Sequence, residues 1–255
     1  MGYALVMDTE TTSINKPFCY DLGWVVLDMD NGRQVENRHY IIEQVWHNLP
    51  LFESAYYKDK REKYVSLLRS RRAILDKWGY VLRALRRDIQ HYGITDAYAY
   101  NSNFDDGVMT FNCDWYKVSN PLDNIAIHDI WGYATQLITC RPDYRAFCEE
   151  HERFTESGNY KSSAEVVYQY ITQNPDFVEE HMGLYDSQIE AEILWWCVER
   201  GCPWASDYPT TRYLYRNIET PFKIKVDGEI LYEGEYIKKY IRNGIYSFTT
   251  TEKGT

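Results

Sequence analysis

The opening of the chain restricts its fold most: the apolar run Tyr3-Ala4-Leu5-Val6-Met7 ends in Asp8-Thr9-Glu10. A short, uniformly apolar segment bounded by polar residues reads as a buried central strand. Side chains alternate along a strand, so Asp8 and Glu10 point the same way at its end. Adjacent carboxylates repel, and each costs several kcal/mol to desolvate near a packed interior unless a positive charge compensates. No Lys or Arg occurs in the first fifteen residues. A divalent cation would supply that charge. The plainer alternative is that these acids open a loop or cap a helix.

Further elements follow from periodicity. Leu22–Leu27 reads as a second strand, Asn31-Gly32 as a hairpin turn, and Arg38–Ile42 as a third strand, giving an antiparallel meander. Between Tyr56 and Tyr92 the apolar residues Leu67, Ile74, Trp78, Val81, Leu85 and Ile89 predict one long amphipathic helix, with Gly79 as a point of interruption. Asp96–Tyr100 is a fourth short strand and Asn124–Ile127 a fifth. Ile130–Cys140, Ser162–Thr172 and Ser187–Arg200 read as helices. This order predicts an α/β fold: a mixed five-stranded sheet with helices on both faces. After Pro203 the composition shifts toward Tyr, Thr and Gly, and Lys223–Tyr232 carries a hairpin signal around Asp227-Gly228. The expected division is a main domain over 1–204 and a small β-containing C-terminal appendage over 205–255.

Composition agrees with a packed domain. Hydrophobic residues make up 44% and aromatics 16% of 255 residues, which excludes disordered, collagen-like and mucin-like classes. No apolar run approaches the roughly 18 residues of a membrane span. Met1–Thr12 lacks a basic region and reads as a strand rather than a signal peptide, so a cytoplasmic location without a membrane partner is expected. The cysteines at 19, 113, 140, 148, 197 and 202 form no C-x-x-C pair and read as reduced core residues rather than a zinc site or a disulfide frame. The net charge is −10, yet Lys58–Arg87 holds 11 Lys and Arg against 3 Asp and Glu, a net of +8 that leaves −18 for the rest.

Two later segments echo the opening. Ala97–Tyr100 runs into Asn101-Ser102-Asn103-Phe104-Asp105, placing Asp105 just past a buried strand with Phe104 available to pack beneath it. Taken alone, this is as readily a polar loop or an N-cap. His181-Met-Gly-Leu-Tyr-Asp186 precedes an apolar helix. Five helical residues turn a side chain about 140° past one revolution, so His181 and Asp186 converge only if His181 lies on the loop entering the helix. The alternative is a capping Asp with a solvent-exposed His. His128-Asp129 reads as structural, with Asp129 capping the helix that starts at Ile130.

Asp-x-Glu ending a first strand, Asn-x-x-Phe-Asp ending a fourth, and His-x-x-x-x-Asp at a late helix, in this order, resemble the DEDDh 3′-5′ exonucleases. These are the DnaQ-like, ribonuclease T-like group of the ribonuclease H-like superfamily. The resemblance covers roughly residues 3–200 and implies a ribonuclease H-like fold. It implies that Asp8, Glu10, Asp105 and Asp186 hold two Mg²⁺ or Mn²⁺ ions and that His181 is the general base. It also implies that Thr11 and Thr12 line the pocket for the 3′-terminal nucleotide, while Asn101 and Phe104 support the second motif on the substrate-binding side. Three positions depart from the family pattern: Ser13 stands where many members have Gly, Gly183 where Ala is usual, and Glu190 where Thr is frequent. Glu190 either adds a carboxylate near the ions or faces solvent.

The activity implied is two-metal hydrolysis of phosphodiesters at a single-stranded 3′ end, DNA slightly favoured, releasing nucleoside 5′-monophosphates. The alternatives are an exoribonuclease or short-oligonucleotide hydrolase with the same site, and a nucleic-acid-binding module that does not hydrolyse. On the basic segment, Arg69, Arg72, Arg83 and Arg86 or Arg87 fall on one helical face, opposite the apolar stripe. They suggest a track for the phosphate backbone, with Arg69 and Arg72 as substrate contacts.

Overall fold

A computed structural model describes residues 2–200 and the strand segments 213–218, 222–226, 229–234, 237–241 and 247–250. The opening run is strand β1 (Tyr3–Thr11), antiparallel to β2 (Cys19–Asp28), which pairs antiparallel with β3 (Arg33–Ile42). Ala4, Leu5 and Val6 are fully buried, as a strand covered on both faces must be. Short helices α1 (Glu43–Trp46) and α2 (Leu49–Phe52), a 3-10 turn at Lys58–Lys60 and α3 (Arg61–Arg69) follow.

The single helix expected between Tyr56 and Tyr92 is two helices, α3 and α4 (Trp78–Tyr92), with an edge strand, β4 (Ile74–Asp76), between them. The break falls after Arg69 rather than at Gly79, which lies inside α4. Arg71 adopts a left-handed backbone with φ 59°, and the amides of Arg72 and Ala73 fold back onto the Leu67 carbonyl, closing the last turn. Ile74 then pairs in parallel with Tyr40 of β3. Counted above as helical core, Ile74 is instead 46% exposed on the sheet edge. The sheet therefore has six strands rather than five, in the order β4-β3-β2-β1-β5-β6, with β5 (Asp96–Ala99) parallel to β1 and β6 (Ala126–Asp129) at the far edge.

Alternation on β3 distributes side chains to two cores. Tyr40 and Ile42 join Leu5, Met7, Leu22 and Trp24 under α4 and α5 (Asn103–Tyr116), whereas Ile41 packs with Val45, Phe52, Tyr64 and Leu67 from α1–α3. Helices thus cover both faces of the mixed sheet.

The chain falls into two compact units, residues 1–128 with 179–192 and residues 129–178 with 193–255. The second contains α6 (Ile130–Ala134), which continues as a π-helical turn over Thr135–Thr139, then α7 (Pro142–Glu150) and α8 (Ala164–Thr172). Asp129 caps α6 as expected, accepting the Trp131 N–H at 2.9 Å. Helix α9 (Gly183–Glu199) starts in the first unit. Near the C-terminus β7 (Tyr213–Ile218) pairs with β10 (Ile237–Ile241), and β8 (Phe222–Val226) pairs with both β9 (Glu229–Gly234) and β11 (Ser247–Thr250). The predicted hairpin is the β8–β9 pair; its turn residues Asp227 and Gly228 lie outside the described residues. The five described cysteines are buried and reduced, outside any disulfide, as read from sequence. No helix among the described residues is long and apolar enough to cross a membrane.

Candidate active site

Strand β2, the antiparallel partner of β1, meets the start of α9 at a contact of bare backbone. Asp8 lies opposite Gly23 of β2, and Glu10 opposite Asp21. A Cβ on Gly23 would come within 2.0 Å of the Leu184 nitrogen, and one on Gly183 within 2.6 Å of the Gly23 nitrogen. Only glycine at both positions lets the helix start lie directly on the strand. Gly183, a departure from the family pattern, is thereby explained. Beneath this contact, fully buried Asp21 accepts the Tyr64 hydroxyl at 2.8 Å and the Gly183 N–H at 3.0 Å.

His181 lies on the loop before α9, which begins at Gly183, so the condition for its meeting Asp186 is satisfied. Donor atoms of Glu10, His181 and Asp186 lie within 4.8 Å of one another. In the first turn of the helix, Asp186 reaches back to accept the Met182 N–H at 2.9 Å, satisfying a donor that the helix start leaves open. Asp105 approaches from α5. The chain leaves β5 through Asn101, whose φ of 69° is left-handed, and Phe104 packs against the core, setting Asp105 in the first turn of the helix where its charge complements the dipole. One Asp105 oxygen accepts both the Thr9 N–H at 3.0 Å and the Thr9 hydroxyl at 2.7 Å.

The charges in this cluster are poorly compensated. Burial raises the Asp8 carboxyl well above its usual range, and Asp105, Glu190, Asp186 and Glu10 raise it further. Glu10 is pushed up to about 9, by burial first and then by Asp21 and Asp186. Asp186 is pushed up to about 8, by burial and then by Glu179 and Asp21. Lys60 eases both groups, but burial pulls its own ammonium down. Asp8 Oδ2 and Asp186 Oδ1 are buried without a hydrogen-bond partner. Unsatisfied hard oxygens in a surplus of negative charge fit a divalent cation of the Mg²⁺ or Mn²⁺ type.

Two contributors, Thr9 and Glu179, escaped the sequence reading, and a third, Glu190, was left between two alternatives. Thr9 was passed over between the two acids, although a hydroxyl there can hold a neighbouring carboxylate. Glu190 does not face solvent: it is 3% exposed, accepts the Tyr100 N–H at 3.1 Å, and its carboxyl is raised well above normal by burial and by Asp105. Glu179 places a carboxylate oxygen 3.6 Å from His181 Nδ1. Of the two threonines, Thr11 is partly exposed, whereas Thr12 is buried with its hydroxyl 3.4 Å from the Lys16 carbonyl.

The basic residues do not share one helical face, because they belong to separate elements. Arg69 ends α3 and Arg72 lies in the turn before β4, while Arg83, Arg86 and Arg87 are on α4. Arg86 donates to the Ser119 carbonyl and hydroxyl, and Arg87 lies 3.5 Å from Asp88. Exposed Arg72 lines a cleft of about 220 Å³ with Lys63, Glu180 and Met182, beside the His181 loop.

No family model matches the sequence, and no curated protein matches it. Among solved structures, a 3′-exonuclease shown in 3′-end-specific recognition of a histone mRNA stem-loop aligns with a TM-score of 0.53 at 10% identity, over 94% of this chain and 98% of its own. The chain has the fold of that 3′-exonuclease. Two further structures give TM-scores of 0.48. One is the nuclease domain of 3′hExo, a DEDDh family member bound to rAMP, with 13% identity over 79% of this chain and 94% of that one. The other is a full-length 3′-exonuclease, with 11% identity over 95% and 99%.

Proposed function

We propose that this protein is a metal-dependent 3′-5′ exonuclease that removes nucleoside 5′-monophosphates from single-stranded 3′ ends. The observation that carries the proposal is the meeting of acids from β1, α5 and α9 beside one imidazole, with buried carboxylate oxygens left unsatisfied. A module that only bound nucleic acid would gain nothing from holding repelling acids together.

In this reading Asp8, Glu10, Asp105 and Asp186 hold two divalent ions. Bound there, the ions supply polarisation of the attacking water and charge neutralisation at the departing 3′-oxygen. Thr9 fixes Asp105 so that its carboxylate needs no reorganisation during the reaction. Glu179 faces Nδ1 of His181, and Nε2 takes the proton of the attacking water. Thr11 and Asn101 line the terminal nucleotide with Phe104 beneath, and Arg72 contributes to the path of the phosphate backbone.

DNA is the first substrate class proposed. RNA is the second, favoured by the histone mRNA stem-loop recognised by the structural relative. The test is a panel of 5′-labelled single-stranded and duplex DNA and RNA, with Mg²⁺ or Mn²⁺ and a 3′-blocked control. The expected result is a ladder shortening from the 3′ end, absent on the blocked strand and with EDTA. Cleavage of the blocked strand, or no cleavage of any substrate with either metal, overturns the proposal.

A further inference from the structure

We propose that Tyr57 and Lys60 are positioning residues for His181, one gripping the imidazole and the other the backbone that carries it. This inference deepens the exonuclease reading and rests on it. His181 has φ 47°, a left-handed conformation that a non-glycine residue keeps only when its surroundings over-determine it. The surroundings here are specific. The Tyr57 ring lies parallel to the imidazole, with centroids 4.6 Å apart and planes 11° from each other. Lys60 Nζ donates to the Glu180 carbonyl at 2.5 Å and to the His181 carbonyl at 3.4 Å. The same ammonium stands 4.0 Å over the other member of the stack, Tyr57.

Local geometry accounts for the arrangement. The turn Lys58–Lys60 is a 3-10 helix entered from Tyr57, and in that helix side chains three apart are eclipsed. Tyr57 and Lys60 therefore rise on one side together, and that side meets the His181 loop. Ammonium over phenol is a cation–π contact, and phenol against imidazole is a ring stack. The result is a clamp built from one turn, its ring on the imidazole and its ammonium on the backbone of the same loop.

A purely structural role is a poor account of this clamp. Tyr57 belongs to neither core cluster, and the His181 side chain is 35% exposed, so the stack holds up no packed interior. It restrains instead a group that has to meet a water molecule at one place, and general-base efficiency depends on that alignment.

The test pairs kinetics with NMR of the imidazole. Tyr57→Ala is expected to lower kcat about ten- to a hundredfold with KM within about threefold of the natural protein. Tyr57→Phe, which keeps a ring, restores most of that loss. The His181 Cε1–H resonance, shifted upfield by the ring above it, moves to the unstacked position in Tyr57→Ala and stays in Tyr57→Phe. Lys60→Met lowers kcat and broadens that resonance through loop motion. Three results overturn the clamp: unchanged kcat in Tyr57→Ala, a rise in KM alone, or Tyr57→Phe as slow as Tyr57→Ala. The two proposals fail differently. If the natural protein releases no mononucleotides, the exonuclease reading falls and takes the clamp with it. If the natural protein is active and Tyr57→Ala equals it, the clamp alone falls.

Discussion

Thr9 gives both its backbone N–H and its hydroxyl to one oxygen of Asp105, at 3.0 and 2.7 Å, across 96 positions of sequence. This pair ties α5 to the end of β1 and holds an acid from one element against the acids of the other. Thr9→Val keeps the shape and the N–H but removes the hydroxyl, leaving a buried carboxylate short of one donor. The expected outcome is a loss of about 1.5–3 kcal/mol of stability in urea unfolding and weaker Mn²⁺ binding by calorimetry. A variant as stable as the natural protein, with unaltered Mn²⁺ affinity, would deny Thr9 this role.

Asp8 is half-buried, with one oxygen buried and unsatisfied amid four other carboxyls. Asp8→Asn removes the charge at nearly constant volume. Hydrolysis is expected to drop at least about a thousandfold, whereas the metal-free protein should melt at a higher temperature near neutral pH because one source of repulsion is gone. The opposite signs separate a functional acid from a structural one: a folded core residue would lose both together.

The raised carboxyls make the metal-free fold sensitive to pH in a defined direction. Glu10 and Asp186 shift from ordinary values of 4.5 and 3.8 to about 9 and about 8 on folding. Between those limits the native state keeps protons that the unfolded chain has released, so stability falls as pH rises through the window. In EDTA the melting temperature should be lower at about pH 8.5 than at about pH 5.5, with Mn²⁺ recovering more at the higher pH because it replaces the missing protons. A metal-free melting temperature that climbs across this range, or an equal Mn²⁺ effect at both ends, contradicts the assignment.

Arg72 stands on the rim of the cleft beside the His181 loop. If it touches phosphate, Arg72→Glu weakens binding of a single-stranded oligonucleotide and makes the dependence of log K on log salt shallower by about 1. Arg83→Glu, on α4, serves as the comparison and is expected to change the slope less. Fluorescence anisotropy over a salt series reads both, and identical slopes in all three proteins would remove Arg72 from the track.

Much of the fold could be read from the chain because its central strands are short, nearly continuous apolar runs. The meander and the strand before Asp105 announce themselves in this way, whereas the loop position of His181 was only a condition that the structure meets. What was lost is also physical. Ile74 fits a helical stripe as well as a three-residue edge strand, because so short a segment has no period of its own; the left-handed Arg71 decides between them, and nothing in its side chain signals that. The same error spread the arginines over one imagined face. Glu190 was left undecided because its burial depends on β5 approaching α9, and Thr9 was overlooked because a residue facing away from its acidic neighbours is still able to reach a carboxylate arriving from another helix. Such tertiary encounters leave no trace in local spacing.

Gly23 and Gly183 meet main chain to main chain, with no side chain between them. Because Gly23 sits on β2 directly opposite Asp8, the helix of Asp186 rests one peptide thickness from the strand beside that of Asp8 and Glu10, and a side chain at either glycine would force the two apart. Drift in the surrounding residues can alter the protein's surface, solubility or rim contacts while this spacing stays where covalent geometry put it.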